Sequence, residues 1–236
     1  MKLKNKTNSD ELLRRIARFL MLHGSFCNNI GLLNGKTGIT LFFYHYARYT
    51  GNRIYNDFAG ELIDEIYKDI HLGTPQNFKD GLSGIAWGME YFIRNGFVAA
   101  DPDEILEDLD QQILERDVRR VSDDSLETGL KGLACYTINR MANREQRRTV
   151  ISKEYIANLI SALSETSNQK EAEELMLNNL KNILSGEKTG CLYNPIINLV
   201  RGSRFNPEAA FKAPISFGIT NNGLAGMGLQ LMRITD

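Results

Sequence analysis

The chain has 236 residues, 42% of them hydrophobic and 24% charged, enough for a domain whose core is stable without staples. A net charge of −1 sets up no global field that would recruit nucleic acid or anionic lipid. The cysteines, Cys27, Cys135 and Cys191, are odd in number and widely spaced, which argues against a disulfide framework and for a reducing compartment.

Met1 to Asp10 is polar and lysine-bearing, with no signal-type apolar core behind it. Asp10 to Leu22 reads as an amphipathic helix; its apolar stretch, Phe19 to Leu22, is short and follows Arg14, Arg15 and Arg18. This is not a membrane span, so a cytoplasmic protein is expected. Gly31 to Thr37 mimics a phosphate loop but has three residues between its glycines where four are needed, and no strand precedes it; nucleotide binding is rejected.

From there a repeat organises the chain. Gly35-Lys36-Thr37-Gly38, Gly81-Leu82-Ser83-Gly84, Gly129-Leu130-Lys131-Gly132 and Gly223-Leu224-Ala225-Gly226 share one pattern, and their second glycines lie 46, 48 and 94 residues apart. The last interval is twice the others, as if one copy had lost its marker. Twenty glycines make isolated G-x-x-G pairs common by chance. The flanks carry the inference. Asn34, Asp80, Thr128 and Asn222, all N-cap types, precede the first glycines. An aliphatic residue and then a small one (Thr40, Ala86, Ala134, Gly228) follow the second. Glycines three apart share a helix face and cost up to about 1 kcal/mol each in helix propensity. Inner helices crowding around an axis would make that worthwhile; the plainer alternative is that these are helix starts after loops.

Charged amphipathic helices are expected between the markers. Ile54 to Ile70 has Phe58, Leu62, Ile66 and Ile70 on one face. Asp101 to Arg116 has Asp101 as cap, Pro102 in its first turn, and Ile105, Leu106, Leu109 and Ile113 as its stripe. Lys153 to Leu163 and Glu171 to Leu184 read likewise. Gly186 to Asn222 is irregular, with a helical turn near Ile196 to Arg201. The whole is read as one domain, 1–236, of four to five helical hairpins.

The marker segments, above all Gly31-Leu-Leu-Asn-Gly-Lys-Thr-Gly-Ile39, Asp80-Gly-Leu-Ser-Gly-Ile-Ala-Trp-Gly88, Glu127-Thr-Gly-Leu-Lys-Gly-Leu133 and Asn222-Gly-Leu-Ala-Gly-Met227, resemble the lanthionine synthetase C-like family. The resemblance implies an all-α fold, an α/α toroid, here a partial or minimal ring. It also implies, for catalytic members, a zinc held by two cysteines and a histidine from a Trp-Cys and a Cys-His-Gly element, activating peptide thiols for addition to dehydrated Ser or Thr. Neither element is present: Trp87 is followed by Gly88, and no cysteine neighbours a histidine. The expectation is therefore no zinc and no other cofactor. A relocated zinc on Cys135, Cys191 and one of His23, His45 and His71 is the weaker alternative, without close spacing behind it.

Candidate ligand-binding residues at the inner-helix starts are Asn34, Lys36, His45, Asp80, Trp87, Glu127, Lys131 and Asn222, with Tyr44 beside them. Each has a plainer role: core aromatics for Trp87 and Tyr44, a hydrogen-bonded core histidine for His45, a cap for Asp80, and a charge favoured by the positive helix start for Glu127. Arg140 to Arg148 carries four arginines interrupted by Glu145, and reads as a solvated helix end rather than a nucleic-acid patch. Two functions follow. The first is a zinc-free module holding a peptide or protein partner, associated with peptide modification, with an oligomer closing the ring. The second is a toroid enzyme acting on carbohydrate or peptide through Asp80 and Glu127. Neither involves a membrane or nucleic acid.

Overall fold

The structure, a computed structural model, describes residues 2–142, 151–166 and 171–234, and only the backbone of residues 2–8 and 166. Among the described residues the regular structure is entirely helical. In chain order the α-helices are α1 (Lys2–His23), α2 (Lys36–Thr50), α3 (Arg53–Asp69), α4 (Leu82–Arg94), α5 (Pro102–Ile105), α6 (Glu107–Leu114), α7 (Leu130–Met141), α8 (Lys153–Thr166), α9 (Glu171–Ser185), α10 (Pro195–Gly202) and α11 (Leu224–Met232).

Each expected helix is present. α1 extends the expected Asp10–Leu22 segment toward the N-terminus. The Asp101–Arg116 helix is broken at Leu106 into α5 and α6, with Asp101 accepting the Asp103 N–H at 2.9 Å and Pro102 in the first turn. Its stripe is buried at Leu106, Leu109 and Ile113. α10 is the helical turn expected near Ile196.

The chain forms two compact units, residues 1–73 with 196–236, and residues 74–195. In the first, α2 pairs with the outer helix α3, while α11 packs against both α2 and α1. Its core is aromatic: Phe42 stacks on Tyr46, and Phe43 meets Phe58 edge to face. In the second unit α4 packs against α7 and α6, and α7 against α8 and α9. Trp87, Phe78 and Tyr91 form its aromatic centre. The four marker helices α2, α4, α7 and α11 are the most buried elements; α3 and α6 bury one stripe each. That division of apolar content is what makes the marker helices inner and their partners outer.

Candidate functional site

The markers have a local cause that differs from the expected crowding of helix against helix. The first N–H of each helix needs a partner. In three repeats it finds the carbonyl seven residues upstream, in the helix's own entry loop: Lys36 N–H to Asn29 O at 2.8 Å, Leu82 N–H to Pro75 O at 2.8 Å, Leu130 N–H to Asp123 O at 2.9 Å. α11 uses a variant, with Leu224, Ala225 and Gly226 donating to Ser216, Phe217 and Gly218. The loop backbone thereby lies directly on the helix start. A methyl group on Gly35, Gly81, Gly129 or Gly223 would overlap a loop carbonyl, as would one on Gly38, Gly132 or Gly226. A helix-against-helix contact is made by Gly228 of α11 on the Phe42 ring of α2, while Gly132 also meets the side chain of Phe78 in the α4 entry loop.

The capping expectation is corrected by the same geometry. The helix N-caps are the first glycines themselves, extended and without any side-chain cap bond. Asn34, Asp80, Thr128 and Asn222 instead tie loops. The Asn34 side-chain oxygen accepts from the Thr220 hydroxyl at 2.8 Å and from the Asn221 amide. The Asp80 N–H donates to Asn77 Oδ1 at 2.8 Å, and its carboxylate lies 3.9 Å from Lys79 Nζ. The Thr128 hydroxyl donates to Asp123, whose carboxyl is held below its usual range by that bond and those from Ser125. Asn222 accepts from Asn206 N–H at 2.7 Å.

Neighbouring loops are joined start to start. The Glu127 carbonyl accepts from Phe78 N–H and Lys79 N–H at 3.1 and 2.9 Å, linking the α4 and α7 entries. The Leu33 carbonyl accepts from Ile219 N–H and Thr220 N–H at 2.6 and 3.2 Å, linking those of α11 and α2. So Asp80 and Glu127 do come to one end of a helix pair, Glu127 exposed and Asp80 half-buried, and so do Asn34 and Asn222.

The other candidates are engaged structurally. Lys36 is buried and bridges Glu65 and Asp69 of α3 at 2.9 and 3.1 Å. Burial alone would lower its pKa; the two carboxylates more than offset this and raise it. Lys131 bridges Asp124 and Glu173 at 2.8 and 3.0 Å, with the same outcome. Trp87 is 1% exposed, and its carbonyl accepts from the Asn139 amide. Burial lifts the Tyr44 hydroxyl to about 12. Burial, with Arg48 nearby, pushes His45 down to about 4, so it stays neutral near pH 7.

Arg140 overturns the reading of its run as a solvated helix end. It is 1% exposed and faces three carboxylates: Asp110 at 2.7 Å, Asp103 at 2.8 Å and Glu90 at 3.2 Å. Asp110 also accepts from the Tyr136 hydroxyl at 2.6 Å. This hub draws α4, α5, α6 and α7 together. The sequence signal for it was an arginine on the inner helix α7, opposite an acidic outer helix. Arg144, Arg147 and Arg148 lie outside the described residues.

Burial raises the thiol pKa of Cys27 and Cys135, which keeps both thiols protonated near neutral pH. Cys191 is exposed. Among the described residues no three His, Cys, Asp or Glu side chains converge as a metal site.

Paired inner and outer helices with loop-capped, glycine-marked inner starts define a helical-hairpin repeat protein. The chain belongs to the lanthionine synthetase C-like family, whose model matches residues 27–187. No curated protein matches it. Among the described residues no helix is long and apolar enough to cross a membrane.

Proposed function

We propose that the chain is a peptide- or partner-binding member of this family that works without zinc-dependent thioether cyclisation. The observation that carries this reading is the start-to-start joining of neighbouring entry loops, which holds polar side chains at the helix starts: Asn34, Asn221 and Asn222 at α2 and α11, Asp80 and Glu127 at α4 and α7. Asn34 and Asn222 hold the loops in place, and the carboxylates of Asp80 and Glu127 can accept from the N–H groups of an extended peptide. The inner-helix lysines are already neutralised by carboxylates, and the inner cysteine is a buried thiol, so neither supplies a nucleophile. The protein would work in a reducing compartment beside enzymes that modify peptides.

The test is a two-dimensional amide NMR titration with a Ser-, Thr- and Cys-rich peptide. Shifts should concentrate in residues 29–35, 75–81, 123–129 and 217–223; a saturating titration that leaves those amides unmoved would sink the reading. Elemental analysis showing stoichiometric zinc in protein purified without added metal would overturn its zinc-free part. The rival enzymatic reading draws on the joined loops that carry Asp80 and Glu127. Because neither side chain caps a helix, Asp80→Ala and Glu127→Ala should leave stability within about 0.5 kcal/mol. Loss of a turnover in either variant, with the fold intact, would favour the enzyme.

A further inference from the structure

The near-zero net charge conceals two opposite charged rows. On α1, Leu13, Ile16, Ala17 and Leu20 face the core, and the opposite face carries Glu11, Arg14, Arg15, Arg18 and Leu22. These positions follow i, i+3, i+4, i+7 and i+11, one continuous stripe. Glu11 and the three arginines line an open depression of about 450 Å³. Arg15 is steadied over the Phe211 ring at 4.0 Å. Leu22 and Phe26 extend the row with large apolar side chains 70% and 80% exposed.

The α5–α6 segment shows the converse. Leu106, Leu109 and Ile113 are buried, and Asp103 and Asp110 are taken up by Arg140. The outward face carries Glu104, Glu107, Asp108, Gln111 and Glu115, all exposed, at the same i, i+3, i+4, i+7, i+11 spacing. Ile105 and Leu114, half-buried, flank it. At a rise of about 1.5 Å per residue, Arg14 to Arg18 span about 6 Å of α1, and Glu107 to Gln111 span a like length of α6, with Glu104 across the break at Leu106.

We infer that the α1 arginine row of one copy docks on the α5–α6 carboxylate row of a second copy, a head-to-tail contact between molecules of this chain. Opposite sign and comparable row length make the two faces complementary. Arginines beside exposed Leu22 and Phe26 give the basic row the composition of an interface centre. Such a contact uses different surfaces on the two partners, so it propagates into a ring or an open chain rather than stopping at a symmetric pair. Exposed ion pairs are individually weak and screened by salt, so the association is modest and strongly dependent on ionic strength.

Sedimentation velocity of the full chain tests this. At about 25 mM salt the protein should self-associate, and at about 500 mM the association constant should fall about tenfold or more. Arg14→Glu with Arg18→Glu should be monomeric at low salt, as should Glu104→Arg with Asp108→Arg. All four positions are exposed, and unchanged circular dichroism and melting would confirm that both variants fold. Mixing the two variants places an acidic row against a basic one again and should restore association. A wild-type monomer at low salt, reversed variants that assemble like the wild type, or a mixture of folded variants that stays monomeric would each overturn the inference; a monomeric wild type that instead binds an acidic peptide would reassign the row to a different partner.

Discussion

His45 shows how burial turns a familiar switch into a silent residue. Its folded pKa, about 4, lies below the usual value near 6.5. The sign follows from linkage: the unfolded chain takes up the proton first, so the contribution of His45 is intact above about pH 6.5 and lost as pH falls toward 4, by up to about 3 kcal/mol. His45→Gln should therefore flatten the acid side of the stability profile, as read by urea denaturation at pH 7 and pH 5. Two equivalent repeat positions make a sharper contrast. The Thr37 hydroxyl donates to the Ile30 carbonyl at 2.6 Å, while the Ser83 hydroxyl is buried with no hydrogen-bond partner among the described residues. Thr37→Val should cost about 1 kcal/mol, and Ser83→Ala should be neutral or stabilising, both by chemical denaturation. Arg140→Ala would remove the buried guanidinium that Asp110, Glu90 and Asp103 share. A loss of about 3–5 kcal/mol is expected, seen as a large fall in Tm.

Among the elements, the inner helices carry their glycines because a loop lies on them. Gly81→Ala would press a methyl group into the Pro75 carbonyl and displace the loop that satisfies Leu82 N–H. Gly60, inside α3, has nothing within 4 Å of where a methyl would sit. Thermal melting should show Gly81→Ala destabilised by about 2 kcal/mol or more and Gly60→Ala stabilised by about 0.5–1 kcal/mol. The repeat was legible from spacing and flanking residues, because glycine, a polar residue before it and an aliphatic one after it recur together. Its mechanism was not. A polar residue before a helix start reads as a cap, and nothing in the linear order reveals that Asn34 answers Thr220 instead. The break at Leu106 was equally hidden, since the stripe passes through it unbroken.

For the molecule as a whole, the first unit is discontinuous: residues 196–236 return to residues 1–73. Gly228 of α11 lies against the Phe42 ring of α2, where any side chain would collide. Gly228→Val should separate α11 from α2. Faster hydrogen exchange at residues 36–50 is the expected readout, with the buried amides of α4 and α7 unaffected. Apolar stripes and a glycine pair that recurs with a polar residue before it and an aliphatic one after it were enough, in sequence alone, to establish an all-helical repeat, its inner and outer helices and its family, because each is a local consequence of side-chain type and spacing. The partners of charged and polar groups were decided only by tertiary structure. Lys36 and Lys131 read as ligand-binding candidates and Arg140 as part of a solvated helix end, yet each is held by carboxylates from other segments. The reason is energetic: a cation on a buried helix must find its counter-charge wherever the fold brings one, and sequence distance does not specify that place.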